Sequence, residues 1–491
     1  MKLKALAAIC AMAFAGQAFA VGPTPSVAAG STVKLYIAGS SALQNTIGQI
    51  ANGVFTAGSV SVFMDSANLA TTATNASGKN YRAYAGTFAA TAPASLVGKT
   101  GILYETAAGG SIVGAVNVAL ATPTARLDLT LDANCTLQTG TDTVILGAPL
   151  YSCLPTLAVA PDAGVSDVEP ALFTGVNVPV GTSPVTPAID AALTKQSTLA
   201  QPMSIIVTPN LVTQGITSLT KAQVTALMGG LTTDWSNVNF FASPAVPAGP
   251  VIVCKRTAGS GTQASINDYF FGFPCSTSQQ APSAAQGTGL GYTVIENSSS
   301  GALATCMTAA QQGTAAGYTI NITNGTISTA AASATTIVLP AGGRAIGLMG
   351  LDRAPGTMTN VGITGYAGPT KLPELYAPIS INGVAPTVLN AALGSYDVVV
   401  LNSWNSRVGT VAGIAPMAGD QLTFFNALAS LSGDGVKVLG TTKVPPVPGV
   451  AALSNATTLN YDNLLNADGT MTNPTIRFAK ANSCQPSIQN Q

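Results

Sequence analysis

The chain contains no histidine, and charged residues make up only 8% of its 491 positions. Without histidine, a Ser-His-Asp or Cys-His nucleophile cannot be built, and the commonest general base near neutral pH is missing. The 19 basic and 19 acidic residues balance, so the chain lacks the basic excess that typifies nucleic-acid-binding proteins. We therefore expect neither an enzyme nor a nucleic-acid partner.

Long apolar runs are missing as well, because no stretch beyond residue 20 reaches the ~18 uninterrupted apolar residues of a membrane span. Residues 1–20 are predicted to be a signal peptide, with Lys2 and Lys4 as its basic start, residues 6–14 as its apolar core and Ala18-Phe19-Ala20 as its cleavage site. The prediction is a bacterial protein that is periplasmic or secreted.

Removal of residues 1–20 leaves six of the seven cysteines, at positions 135, 153, 254, 275, 306 and 484. An even number of cysteines in an exported chain favours disulfides. A hairpin would bring Cys135 and Cys153 together, so we predict that pair and leave the other four open. No C-x-x-C spacing and no histidine occur, so neither a zinc site nor any other metal or cofactor is expected.

The length of the chain predicts at least two lobes, because single hydrophobic cores become rare beyond ~250–300 residues and about 470 residues remain after the signal. The order of elements is strand, glycine turn and helix, repeated. After the strand Val33–Ile37 and the turn at Gly39, apolar residues recur at helical spacing at positions 43, 47, 50 and 54. This alternation predicts an α/β fold with mixed, mainly parallel sheets flanked by helices.

The stretch from Arg256 to Thr262, Arg-Thr-Ala-Gly-Ser-Gly-Thr, carries the clearest chemistry. It follows the apolar run 251–253 and opens a helical segment, so its backbone N–H groups can converge on one spot. The hydroxyls of Ser260 and Thr262 would add donors, and Arg256 a two-pronged cation. This arrangement suits an oxyanion. The alternative is an ordinary strand-to-helix turn in a protein with 51 glycines.

Two more glycine/serine turns follow predicted strands, at Ser40-Ser41 and at Ser111. In open α/β sheets, ligands bind beyond the carboxyl ends of the strands, where such turns meet. Three turns of this kind jointly predict one anion site. If they were independent, their serines would only cap helices.

Taken in order, these stretches resemble the type II periplasmic solute-binding proteins, and among them the phosphate-binding component of ABC importers. Residues 37–42 are similar to the first phosphate loop of that family, and Gly110-Ser111 to the second. Val165-Ser166-Asp167 resembles the strand end that presents an acidic ligand residue. Arg256 with Ser260-Gly261-Thr262 matches the arginine and SGT loop, and residues 216–235 a further family segment.

The resemblance implies a two-lobed fold, with lobe 1 at residues 33–207 and 380–491 and lobe 2 at 208–379. It implies a monomer that binds phosphate or a similar oxyanion for an ABC permease in the inner membrane. The implied ligand shell is Ser40, Ser41, Ser111, Asp167, Arg256, Ser260, Gly261 and Thr262. Phosphate keeps a P–OH that the Asp167 carboxylate can accept, whereas sulfate would meet a bare negative charge. Asp167 could instead be an exposed turn carboxylate.

The chain departs from the family by placing about 55 residues between Ser111 and Asp167, many more than the family has. This insertion could cap the cleft, carry a partner surface or signal a rebuilt pocket. A rival function is therefore a secreted or surface interaction protein that keeps the fold without transport. Phosphate-ester hydrolysis ranks last, because no metal cluster or activated nucleophile is recognisable.

Overall fold

The computed structural model describes most of the chain from residue 22 onward. The described residues are 22–65, 80–141, 147–154, 156–240, 248–276, 292–312, 342–351 and 376–432, with short strands at 319–323, 326–328, 335–336, 451–453, 475–476, 478–479 and 488–489. The predicted signal peptide lies outside these residues. Among the helices that are described, none has the length and apolar character that crossing a membrane requires.

Helices and strands alternate between residues 163 and 312, as the sequence predicts, whereas the described strands within 61–106, 124–166 and 319–381 follow one another without a described α-helix between them. The helices are α1 Pro25–Ala29, α2 Gln44–Val54, α3 Pro187–Ala191, α4 Pro209–Thr213, α5 Lys221–Met228, α6 Gly261–Phe271, α7 Ser300–Gln312, α8 Val388–Ala392 and α9 Gly419–Ser432. The strands are β1 Val33–Gly39, β2 Ser61–Asp65, β3 Tyr81–Thr87, β4 Thr100–Thr106, β5 Thr124–Leu127, β6 Cys135–Thr141, β7 Pro149–Cys153, β8 Thr156–Val159, β9 Ala163–Ser166, β10 Leu193–Val207, β11 Ser218–Leu219, β12 Val251–Arg256, β13 Thr293–Asn297, β14 Thr319–Thr323, β15 Thr326–Ser328, β16 Thr335–Thr336, β17 Arg344–Gly350, β18 Ala377–Pro378, β19 Ser380–Ile381, β20 Val399–Arg407, β21 Ala451–Leu453, β22 Thr475–Ile476, β23 Phe478–Ala479 and β24 Ile488–Gln489.

A large mixed sheet has β1 near its middle. Strand β1 pairs in parallel with β4 on one side and with β9 on the other, so that Ile37 lies opposite both Glu105 and Ala163. Beyond β4 the order is β3, β2, β7 and β6, and beyond β9 it is β20 and β10. Because β1, β4 and β9 are parallel neighbours, their carboxyl ends share one edge of the sheet.

The strand β10 connects this sheet to a second group of strands. Its first part, to Pro202, pairs with β20, and its last part, from Met203, pairs with β17. Strand β12 lies between β17 and β13 and is parallel to both. Strand β10 ends at Val207, the residue where the sequence places the first lobe boundary. The division into two lobes stays a prediction.

Local sequence signals account for two of the helices. All four apolar residues predicted to form the buried face of α2 are buried, at positions 43, 47, 50 and 54. Helix α5 begins with a capping box, in which Thr220 Oγ1 accepts the Gln223 N–H at 3.2 Å and Gln223 Oε1 accepts the Thr220 N–H at 2.5 Å. The predicted mixed α/β fold is confirmed.

The two tryptophans mark the two largest apolar clusters of the described residues. Trp235 is fully buried in the cluster around α5, α6 and β12, and its indole N–H donates to the Arg344 carbonyl at 3.0 Å. Trp404 is fully buried in the cluster around β1, α2 and α9, where its ring lies edge-on to Phe425. Two smaller apolar clusters accompany them, so the number of clusters does not count the lobes, and the expectation of more than one lobe stays a prediction.

The described part of the insertion between Ser111 and Asp167 includes one hairpin, β6–β7, and a two-stranded antiparallel sheet, β5–β8. Strands β6 and β7 extend the sheet beyond β2, and β2, β3 and β4 separate them from β1. Strands β5 and β8 form a small sheet that contacts β3 and β4. The hairpin β6–β7 therefore lies at the sheet edge rather than over the end of β1.

Two disulfides join described cysteines. Cys135 and Cys153 are directly opposite in the β6–β7 hairpin, so the predicted pair is confirmed. The second bond, Cys254–Cys306, links β12 to α7. Cys275 is also disulfide-bonded, and Cys484 lies outside the described residues.

We expect all six cysteines after residue 20 to be oxidised. Mass analysis of unreduced, alkylated protein checks this, and labelling of any of the six contradicts it.

A buried carboxyl, Glu105, lies next to the end of β4. It is opposite Arg82 of β3, and both side chains are almost fully buried. Among the described residues, neither carboxyl oxygen of Glu105 has a hydrogen-bond partner. Burial raises the pKa of Glu105 from 4.5 to about 8, although the nearby Arg82 charge opposes the rise. The folded protein therefore keeps a proton on Glu105 at pH values where the unfolded chain has lost it.

The pKa of Glu105 predicts how stability depends on pH. Because the folded-state value is the higher one, the free energy of unfolding should fall as pH rises from 4.5 to about 8, by at most about 1.4 kcal/mol per pH unit. Glu105→Gln should remove this dependence, so that the free energy of unfolding of the variant increases relative to that of the wild type as pH rises. Urea unfolding at pH 5, 7 and 9 measures it. Parallel pH profiles for the two proteins would show that the prediction is wrong.

Candidate functional site

Four strand ends bring the predicted ligand residues together. Ser40 and Ser41 follow β1, Ser111 follows β4 and a glycine turn, Asp167 follows β9, and Arg256 ends β12. The first three strands are parallel neighbours, so their ends meet at one edge. The loop after Arg256 leads into α6, whose first residues reach the same place.

Asp167 is the centre of this cluster. Ser40 Oγ accepts the Ala42 N–H at 3.0 Å and donates its own proton to Asp167 Oδ1. Thr262 Oγ1 donates to Asp167 Oδ2 at 3.4 Å, and the Asp167 N–H donates to Ser111 Oγ at 3.3 Å. Asp167 thus joins residues from three loops that are distant in sequence, two through its carboxylate and one through its backbone N–H.

Burial decides between the two interpretations of Asp167. Its side chain is 2% exposed, so the alternative of an exposed turn carboxylate is wrong. Burial raises the pKa of Asp167 above its ordinary value. The hydrogen bond from Ser40 and the charge of Arg256 oppose that rise. A buried carboxylate of this kind is stabilised by the donors around it.

Gly261 is required by space rather than by backbone conformation. A Cβ at this position would lie 2.6 Å from Asp167 Cβ and 2.7 Å from Ser111 Oγ, too close for any side chain. The loop at Ser111 also contacts the loop that precedes α6, since the Ile112 N–H donates to the Gly259 carbonyl at 3.0 Å. Gly110 has a φ of +77°, and a Cβ there would lie 2.8 Å from that carbonyl oxygen. The glycines therefore allow the loops to pack closely.

Arg256 is 2% exposed and is held by a single turn between β13 and α7. Its Nε donates to the Asn297 carbonyl at 3.1 Å, Nη1 donates to Ser300 Oγ at 3.0 Å, and Nη2 donates to the Ser298 carbonyl at 3.0 Å. The charge of Arg256 also lowers the pKa of Asp167, which places the guanidinium within electrostatic reach of that carboxylate.

Two predicted ligand residues have buried hydroxyls that bond to none of the residues the structure describes. Ser41 and Ser260 are 4% and 3% exposed, and the structure gives neither Oγ a hydrogen bond. Ser260 occupies the N-cap position of α6 yet does not cap it, because its side chain makes no bond to a helical N–H. A buried hydroxyl without a partner costs free energy. The helix start is likewise left with N–H groups that no side chain caps.

The structure adds residues that the sequence analysis missed. The Asn177 carbonyl accepts the Gly259 N–H at 2.9 Å, and Asn177 Oδ1 accepts a proton from the Asn267 amide of α6 at 2.6 Å. Asn177 thus stabilises the loop that precedes α6 through hydrogen bonds to Gly259 and Asn267. Asn297 and Ser300 support Arg256. None of these residues belongs to a motif, and asparagine and serine are common in turns, so no sequence signal marks them.

The charges in the cluster favour an anion. Arg256 and Asp167 contribute one charge of each sign, and the amino ends of α6 and α7 add partial positive charge. Within the part of the chain that the structure describes, no group of three His, Cys, Asp or Glu side chains could hold a metal ion. What the cluster provides is hydroxyls, backbone N–H groups and one guanidinium around one carboxylate.

No protein-family model and no curated protein matches the chain. Among solved structures, it is similar to a candidate phosphate ABC transporter substrate-binding protein with bound phosphate from Clostridium perfringens. The identity is 11% and the TM-score 0.41, over 84% of this chain and 99% of that one. An ABC-type phosphate transport receptor from Vibrio cholerae shows 13% identity and a TM-score of 0.28, over 55% and 74%. A phosphate-binding protein from Stenotrophomonas maltophilia shows 12% and 0.31, over 76% and 79%.

Proposed function

We propose that this protein is an exported, non-enzymatic solute-binding protein that captures a small oxyanion, namely phosphate, for an ABC importer of the inner membrane. The observation that supports this proposal is the buried cluster of polar residues around Asp167. The guanidinium of Arg256 and the partnerless hydroxyls of Ser41 and Ser260 lie in loops that converge on Asp167. The sequence resemblance of the same loops to phosphate-binding proteins supports the proposal.

The donor set suits a tetrahedral oxyanion. Backbone N–H groups at the start of α6 can bind an anion, and a guanidinium can donate two parallel hydrogen bonds to its oxygens. Buried hydroxyls would recover the hydrogen bonds that they lack in the free protein. Each group would then be satisfied by the ligand, which makes anion binding favourable despite the loss of its hydration.

Asp167 gives the site a preference among oxyanions. Phosphate near neutral pH keeps one proton, and its P–OH can donate to a carboxylate oxygen. Sulfate has no proton to donate, so the same carboxylate would repel it. The Asp167 side chain is buried, and burial strengthens this repulsion because water does not screen the two charges.

We further propose that the ligand binds between lobe 1, residues 33–207 and 380–491, and lobe 2, residues 208–379. Asp167 belongs to the first range and Arg256 to the second, so the anion would bridge them. Closure of the lobes on the ligand would present one conformation to the permease, and a monomer would suffice for that task. Strand β10, which pairs with strands of both ranges, would serve as one connection.

A second candidate is a secreted or surface interaction protein without transport. The observation that favours it is the insertion, because Leu131, Leu137 and Leu154 are 62%, 57% and 78% exposed at or beside strands β6 and β7. Large contiguous patches of exposed apolar residues mark contact surfaces, and we propose that these three leucines belong to one. This surface is separated from the anion cluster by three strands, so the two functions are not exclusive.

Titration calorimetry of the purified protein tests the proposal. The protein is first unfolded and refolded without reductant, which removes carried-over ligand and keeps the disulfides. We expect phosphate to bind at a single site. Absence of a signal with phosphate, arsenate, sulfate and molybdate at millimolar concentration would reject the importer function and favour the interaction protein.

A further inference from the structure

Three contacts of the Arg256 guanidinium come from one short segment. Asn297 ends β13, Ser298 follows it, and Ser300 is the first residue of α7. The bonds are 3.0–3.1 Å long, and Arg256 and Ser300 are both buried. The position of the guanidinium therefore depends on where α7 begins relative to the end of β12.

The disulfide Cys254–Cys306 fixes that relation. Cys254 is two residues before Arg256 on β12, and Cys306 is in the middle of α7, whose first residue contacts Arg256. Both cysteines are fully buried. The strand that carries Arg256 is thus covalently bound to the helix whose first residue contacts the Arg256 side chain. The disulfide and the hydrogen bonds of Arg256 both connect β12 to the segment from residue 297 to α7.

We propose that Ser300 and the Cys254–Cys306 disulfide are positioning elements that hold the Arg256 guanidinium ready for an anion. The effect on binding rests on the proposed function, whereas the immobilisation of Arg256 does not. An arginine side chain has many rotamers in water, and ordering it during binding lowers affinity. When the protein has already ordered the side chain, the ligand gains the charge-assisted hydrogen bonds without that loss.

The location of the arginine makes such support necessary. The amino end of α7 carries partial positive charge, which repels a guanidinium. The two carbonyls of Asn297 and Ser298 and the Ser300 hydroxyl offset this repulsion as acceptors. If α7 moved away from β12, these acceptors would move with it, and the guanidinium would lose the three hydrogen bonds that hold it.

A ligand-free NMR experiment tests the immobilisation. The exchange of the arginine Nε–H protons with water is measured on protein with ¹⁵N-labelled arginine, and Arg256→Lys identifies the Arg256 signal by its loss. We expect slow exchange in the wild type and at least about fivefold faster exchange in the Cys254→Ala/Cys306→Ala double variant and in Ser300→Ala. Equal exchange rates in all three proteins would overturn the proposal.

Calorimetry with inorganic phosphate tests the consequence for binding. The Cys254→Ala/Cys306→Ala variant should bind about 5- to 30-fold more weakly, the range that corresponds to a loss of one or two kcal/mol. The matched control is Cys135→Ala/Cys153→Ala, which removes the disulfide of the β6–β7 hairpin and should leave affinity within about twofold, a change below 0.5 kcal/mol. Equal losses in the two double variants would contradict a positioning role.

A double-mutant cycle separates positioning from general stability. Ser300→Ala should weaken phosphate binding in the wild type but have little effect in Arg256→Lys, because lysine lacks the forked donors that Ser300 holds. Ser300→Thr should restore affinity, since it restores the hydroxyl acceptor. Independent losses, or no rescue by threonine, would overturn the role of Ser300. A wild type that binds no anion would reject the proposed function, and the NMR exchange rates would still decide the immobilisation.

Discussion

Replacing Arg256 with alanine should abolish most phosphate binding. Truncation of one partner in a buried charge pair costs ~2–5 kcal/mol, which is a loss of about thirtyfold to a few thousandfold in affinity. Arg256 is 2% exposed, so the proposed contact with the anion would be shielded from water. The variant also removes the positive charge that lowers the pKa of Asp167, which adds repulsion to the lost attraction. Calorimetry of the stripped variant measures the change.

The matched control for Arg256→Ala is Lys99→Ala. It also removes one positive charge, but Lys99 is 43% exposed and pairs with Asp420 on the surface. A surface pair contributes little, so phosphate affinity should stay within about twofold, a change below 0.5 kcal/mol. If Arg256→Ala binds phosphate within about threefold of the wild type, a difference near 0.6 kcal/mol, Arg256 does not contact the ligand. If both variants lose affinity equally, the effect is one of net charge.

The sequence predicts the framework of the site because each of its signals is local. The glycine and serine turns stand directly after apolar strands, and the 4-3-4 spacing of apolar residues predicts the buried face of α2. Parallel pairing then brings the strand ends to one edge without further information. The disulfide Cys135–Cys153 can also be predicted from local sequence, because a single hairpin places the two cysteines opposite each other.

The rest depends on contacts between segments that are distant in sequence. Asp167 is preceded by serine and followed by Val-Glu-Pro, which is also typical of an exposed turn, and only the packing of the loops at Ser40, Ser111 and Gly261 buries it. Ser260 occupies an ordinary N-cap position, and nothing local indicates that it makes no cap. Tertiary packing decides both cases.

The support of Arg256 could not be predicted for a related reason. Asn297 and Ser300 lie more than 40 residues beyond Arg256, and they reach it because β13 is the parallel neighbour of β12. The same pairing determines the disulfide Cys254–Cys306, which spans 52 residues. A parallel neighbour can follow at any distance along the chain, so residue spacing gives no signal for either contact.

Asp167→Asn should change the choice of anion rather than abolish binding. Asparagine keeps an oxygen that can accept the P–OH of phosphate, and its amide can donate to an oxygen of sulfate. Removal of the buried negative charge also removes the repulsion that excludes sulfate. We expect phosphate affinity within about tenfold of the wild type and sulfate affinity that rises by at least about tenfold, the change that 1.4 kcal/mol produces. Calorimetry with both anions at neutral pH measures this.

Protonation should imitate the substitution in the wild type. The pKa of Asp167 is raised above its ordinary value of 3.8, chiefly by burial. As pH falls through the raised value, the carboxyl gains a proton, stops repelling sulfate and becomes a donor to it. Sulfate binding should therefore increase toward low pH in the wild type and stay constant in Asp167→Asn. A suitable control is Asp162→Asn, because burial also raises the pKa of the Asp162 carboxyl. Asp162 lies outside the anion cluster, just before β9, where it accepts the Tyr36 N–H at 2.8 Å. If that control admits sulfate equally, or if sulfate binding in the wild type is independent of pH, Asp167 is not the residue that discriminates between the two anions.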